Sequence, residues 1–73
     1  MAKMADKKKL VTLLKYWITH NREHSEEFLE WSEKADAMGE SEVAKAIQQS
    51  IIEMNKATDH LSKALKKLGG KER

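Results

Sequence analysis

The sequence contains no cysteine and no proline, only three glycines, and few aromatic side chains: two Trp, one Tyr and one Phe. Without cysteine, neither a disulfide framework nor a thiolate metal site is available to staple the fold. Without proline, and with glycine confined to Gly39, Gly69 and Gly70, almost nothing interrupts a helix, and strands are poorly supported. Long apolar runs are also missing, so no segment is expected to span a membrane. Residues 1–9 are polar and basic with no apolar core behind them, unlike a secretory signal, so the expected location is cytoplasmic. At 73 residues the chain is one domain, short enough to sit near the margin of independent stability. Stabilisation is left to helix packing, to oligomerisation, or to a metal held by nitrogen and oxygen ligands.

What the sequence does have is charge, 36% of its residues, and a helical rhythm. From Leu10 a stripe runs through Leu14, Trp17, Asn21, His24, Phe28, Trp31, Ala35 and Met38 in alternating steps of four and three, the pattern of a helix packed lengthwise on another. Asp6 is placed to cap its start. The spacing predicts one helix over residues 6–38 behind a loose end at residues 1–5, and Gly39 follows as the residue that tolerates a left-handed C-terminal turn. After a turn at 39–40, Ser41 reads as an N-cap. A second stripe, Val43, Ile47, Ile51, Met54, Thr58, Leu61, Leu65 and Leu68, predicts a helix over 41–68, with a frayed tail at 69–73.

So short a connection makes the helices antiparallel neighbours. The expected fold is therefore an all-α, antiparallel two-helix hairpin. Val11, Ile18, Leu29 and Ile52 fall off the two stripes, and that surplus apolar surface asks for a partner. A second hairpin would supply it, giving a homodimeric four-helix bundle. The alternative is a three-helix bundle monomer with the first helix broken near Thr19 to Asn21. Charge is uneven: Lys3, Lys7, Lys8, Lys9, Lys63, Lys66, Lys67, Lys71 and Arg73 gather at the end holding the termini. Glu26, Glu27, Glu30, Glu33, Asp36, Glu40 and Glu42 occupy the loop half. Two copies packed head to tail would match opposite signs.

Asn21 and His24 stand where the stripe should be apolar, and burying such groups costs about 1–3 kcal/mol each unless they find partners. In the hairpin His20 comes level with His60, and Glu27 with Glu53, while His24 falls between. Histidines four apart on a helix can grip one ion, and facing carboxylates repel unless a cation or proton separates them. The expected site is therefore a divalent transition-metal cluster of His20, His24, His60, Glu27 and Glu53, shared across the dimer. Zinc, nickel, cobalt, iron and manganese are all open. The competing reading is a metal-free interaction module, with a free protein partner or a second copy, in which a His/Asn layer sets register.

His20-Asn21-Arg22-Glu23-His24 also matches H-x-x-E-H, the zinc motif of inverted metallopeptidases. Such enzymes need a distant third ligand and a substrate cleft that a hairpin lacks, so the match is read as chance and no enzymatic activity is expected. Trp17 and Trp31 are expected as core anchors. The terminal lysines lack interleaved aromatics, and net charge is only +2, so nucleic acid is not an expected partner.

The stretch from Leu14 to Ala35, with Trp17-Ile18-Thr19-His20-Asn21-Arg22-Glu23-His24 at its heart, resembles a group of small uncharacterised archaeal and bacterial helical proteins that share a W-I-x-H-N-x-x-H segment. The resemblance extends into the second helix. It implies a short helical domain of prokaryotic type, with no established function, and marks Trp17, His20, Asn21 and His24 as its defining residues.

Overall fold

The computed structural model describes residues 4–69. Two helices account for them: α1, Met4–Ala37, and α2, Ser41–Lys67. The helix α1 runs unbroken through Thr19 to Asn21, so the three-helix alternative is set aside. The first helix begins at Met4, which places Asp6 inside its first turn, where a carboxylate meets the positive helix end, rather than at the cap. Residues 1–3 and 70–73, with Lys3, Lys71, Arg73 and most of the expected tail, lie outside the described residues.

The turn is built by Gly39, whose φ of +84° is left-handed. The Glu40 N–H donates to the Ala35 carbonyl at 2.9 Å and the Gly39 N–H to the Asp36 carbonyl at 3.0 Å, the paired bonds that close a helix end around a left-handed glycine. Glu40 then serves as the N-cap of α2, without a side-chain capping bond, and Ser41 is already helical, contrary to its expected role. With only residues 38–40 between the helices, α2 folds straight back along α1 as a hairpin. The result is a rod: principal extents are 52 × 19 × 14 Å, and the radius of gyration is 15.9 Å. A compact domain of this length would have about 11 Å.

The seam of α2 follows its predicted stripe almost throughout; only its first position changes, Ala44 being buried and Val43 exposed. The seam of α1 does not. The residues turned toward α2 are Val11, Leu14, Ile18, Asn21, Ser25, Phe28, Ser32 and Ala35. Half of the predicted stripe is therefore replaced: Leu10, Trp17, Trp31 and Met38 are exposed, while Val11 and Ile18 move into the interior. The axial levels nevertheless agree with expectation, as the Ser25 Oγ donating to Asn55 Oδ1 at 3.4 Å across the hairpin shows. What differs is the rotation of α1 about its own axis.

Side-chain size explains the rotation. A three-residue connection forces the helices together near the turn, and close approach needs small residues there. Ser32, Ala35 and Ala44 supply them and are buried, whereas Trp31 and Met38 would hold the helices apart. The larger apolar core lies toward the other end, where Leu14, Ile18 and Leu65 pack with Val11, Leu61, Ala64 and Leu68. Two hydroxyls inside the seam turn back on their own helices: Ser32 Oγ donates to the Leu29 carbonyl at 2.8 Å and Thr58 Oγ1 to the Met54 carbonyl at 2.9 Å.

Candidate metal-binding flank

Residues four apart on a helix stack one turn above the next. On α1 this spacing links Tyr16, His20, His24 and Phe28 in a ladder of rings. Tyr16 stacks on His20 with centroids 5.3 Å apart and planes 16° from parallel. His20 and His24 meet edge to face at 4.3 Å and 87°, and His24 contacts Phe28 at 6.1 Å. The two imidazoles bring their Nε2 atoms to 3.0 Å of each other. The other nitrogen of His24, Nδ1, lies 3.4 Å from Glu27 Oε1. With the His24 proton on Nδ1, toward that carboxylate, its Nε2 is an acceptor and His20 Nε2–H donates to it. The same two Nε2 atoms are close enough to serve as neighbouring ligands of one ion.

The pair sits on an open surface depression lined by His20, Glu23, His24, Glu26, Glu27 and Glu30, all from one helix. His24 is only half buried, so the desolvation cost expected for a polar residue in the seam does not arise at full strength. Among the described residues no buried side-chain nitrogen or oxygen lacks a hydrogen-bond partner.

Of the five residues expected to form a cluster, the structure brings together His20, His24 and Glu27. Glu53 is engaged on its own helix, accepting from Gln49 Nε2 at 3.0 Å and lying 3.6 Å from Lys56 Nζ. His60 is exposed on α2. Among the described residues, no group of three or more His, Asp or Glu side chains stands close enough to hold a metal ion within one chain. The rotation of α1 is the reason: His20 is level with His60 but on a face turned away from it. Tyr16 and Phe28 were not expected at this flank. Their spacing of four from the histidines is the signal for the ladder, masked in the sequence because Phe28 also falls on the apolar stripe.

Among the described residues, no helix is long and apolar enough to cross a membrane. No curated protein and no solved structure shows significant similarity to the chain. Residues 10–68 do match one family, described as a domain of unknown function, DUF8180. That match covers α1 from Leu10 onward, all of α2 and the whole histidine flank, and the chain belongs to the DUF8180 family.

Proposed function

We propose that the protein is a non-enzymatic, self-associating helical module in which a second copy covers the open flank of α1. The observation that carries this reading is the stripe left outside the hairpin. Leu10, Trp17, His24, Trp31 and Met38 recur at every seventh position, joined by Leu13, and Trp17 and Trp31 remain 39% and 51% exposed. Large apolar side chains repeating at the heptad interval form the seam of a helix–helix contact, and a row of them in water marks an interface. The stripe that the sequence spacing assigns to the hairpin's own seam thus becomes the surface for the next hairpin, and the four-helix bundle follows from that.

Charge selects the second copy and its direction. Lys7, Lys8, Lys9, Lys63, Lys66 and Lys67 stand at the end of the rod opposite the turn, and Glu30, Glu33, Asp36, Glu40 and Glu42 stand toward the turn. A two-fold axis along the rod would set like ends side by side. An axis across the rod pairs α1 with α1 antiparallel and sets each basic end beside an acidic one, the favourable arrangement. Light scattering on the full chain in a metal chelator tests this. The expected mass is twice the 8.4 kDa of the chain, falling to the single-chain value for Trp17→Lys with helicity retained. A wild-type mass of one chain at high micromolar concentration overturns the reading.

A second reading, transition-metal binding, is favoured by the 3.0 Å approach of His20 and His24 Nε2. The donors are two imidazoles on one helix in place of the five-residue cluster, which suits zinc, nickel or iron better than manganese, an oxygen-preferring ion.

A further inference from the structure

We infer that the antiparallel dimer forms a zinc site on its two-fold axis, built from His20 and His24 of both copies. The inference rests on the self-association proposed above and adds to it a ligand and a stoichiometry.

One chain supplies half of a site. Two Nε2 atoms stand 3.0 Å apart on the surface of α1, and among the described residues no third His, Asp or Glu stands close enough to complete a metal-holding group with them. Zinc bound structurally takes four ligands, tetrahedrally. The missing half lies where symmetry would put it. The helix α1 runs from Met4 to Ala37, so its midpoint falls beside His20, and an antiparallel α1 pair with full overlap crosses there, one turn from His24. Either imidazole pair then faces its copy across the axis.

The packing on either side favours the same register. In that full-overlap register residues whose numbers sum to about 41 lie opposite one another, so the exposed Leu10 of one copy meets the exposed Trp31 of the other, Leu13 meets Phe28, and Trp17 stands beside His24. Apolar layers would flank the histidine layer on both sides and keep water from it.

The second nitrogen of His24 completes the argument. Metal-bound histidines donate their remaining ring N–H to a carboxylate or carbonyl, which fixes the tautomer that leaves the coordinating nitrogen bare. Glu27 Oε1 stands 3.4 Å from His24 Nδ1 on the side away from the Nε2 pair, the place such a carboxylate occupies. A zinc site of four neutral imidazoles carries two positive charges. Glu23, Glu26, Glu27 and Glu30, which line the same depression, would offset them.

The test is a zinc titration of the chelator-stripped full chain, followed by calorimetry, light scattering and the imidazole NMR signals. The expected result is one zinc per two chains, with the signals of His20 and His24 shifting together and that of His60 unmoved. His20→Ala and His24→Ala should each abolish this binding while the zinc-free mass stays that of a dimer, and Glu27→Gln should weaken it about tenfold. One zinc per chain would mean that each exposed pair chelates its own ion, and would overturn the shared site. So would a dimer that takes up no zinc at micromolar concentration, or His60 shifting with the other two. In these cases the zinc-free dimer, and with it the self-association reading, still stands. A single-chain mass both with and without zinc overturns both.

Discussion

Ser32 is the residue on which the close approach of the two helices depends. It is fully buried at 0% exposure, next to the turn, with its hydroxyl satisfied by the Leu29 carbonyl. A larger side chain there has to push α2 outward, and overpacking of this kind costs about 1–3 kcal/mol. Ser32→Leu should therefore lower the urea midpoint by that equivalent. Ser32→Ala should leave it nearly unchanged, because the hydroxyl is removed together with its bond and the Leu29 carbonyl is left no worse off than any other helical carbonyl. At the far end Leu65, also at 0%, closes the main apolar core, and Leu65→Ala should cost about 2–5 kcal/mol in the same measurement. Residue types alone mislead at this scale. Trp17 and Trp31 are the largest apolar groups of the chain and read as core anchors, yet both are exposed, and the seam near the turn belongs to Ser32, Ala35 and Ala44, whose small size carries almost no hydrophobic signal.

At the scale of the elements, helix boundaries and axial level were legible, and rotation was not. Gly39, the absence of proline and the unbroken four-and-three spacing gave two helices within a few residues of those observed, and the Ser25–Asn55 contact lies at the level a turn at Gly39 and Glu40 requires. Rotation of α1 was ambiguous because the helix carries two overlapping apolar stripes that share Leu14, Asn21, Phe28 and Ala35. One adds Leu10, Trp17, His24, Trp31 and Met38, and the other Val11, Ile18, Ser25 and Ser32. Hydrophobicity favours the first for the hairpin; the tight connection imposes the second. That choice also leaves Glu53 engaged on its own helix and His60 exposed on α2, so the five expected ligands do not gather within one chain among the described residues. Gly39 is where the connection can be tested. Its φ is +84°, and an added Cβ would meet nothing within 4 Å, so only backbone strain opposes a side chain. Gly39→Ala should destabilise the hairpin by about 1–2 kcal/mol in urea unfolding, with Gly39→Asn costing less because asparagine tolerates the left-handed region.

The whole molecule is a rod whose ends differ in sign, and its size leaves little interior to hold it alone. The exposed pairs Lys34–Glu30, Lys45–Glu42 and Lys56–Glu53 do little for it, each lying along one helix and bridging nothing across the hairpin. In the proposed antiparallel dimer the useful electrostatics would lie between copies: the segment Lys7, Lys8 and Lys9 of one chain would run beside the acidic turn end of the other, twice by symmetry. Reversing the basic end by Lys7→Glu, Lys8→Glu and Lys9→Glu sets acid against acid at both ends. With exposed pairs worth about 0.2–1 kcal/mol each, dimerisation should weaken by about tenfold or more at low salt, and by less at high salt. Adding Glu33→Lys, Asp36→Lys and Glu40→Lys to the same chain restores opposite signs and should recover most of the lost affinity. Sedimentation equilibrium across ionic strengths reads both effects. If the two-fold axis instead ran along the rod, each reversed segment would face its own copy, glutamate against glutamate in place of lysine against lysine, and neither triple should weaken the dimer in this salt-dependent way. An affinity that the first triple leaves unchanged therefore rejects the antiparallel arrangement, while a weaker dimer that the second triple rescues fixes the direction in which the two α1 helices meet.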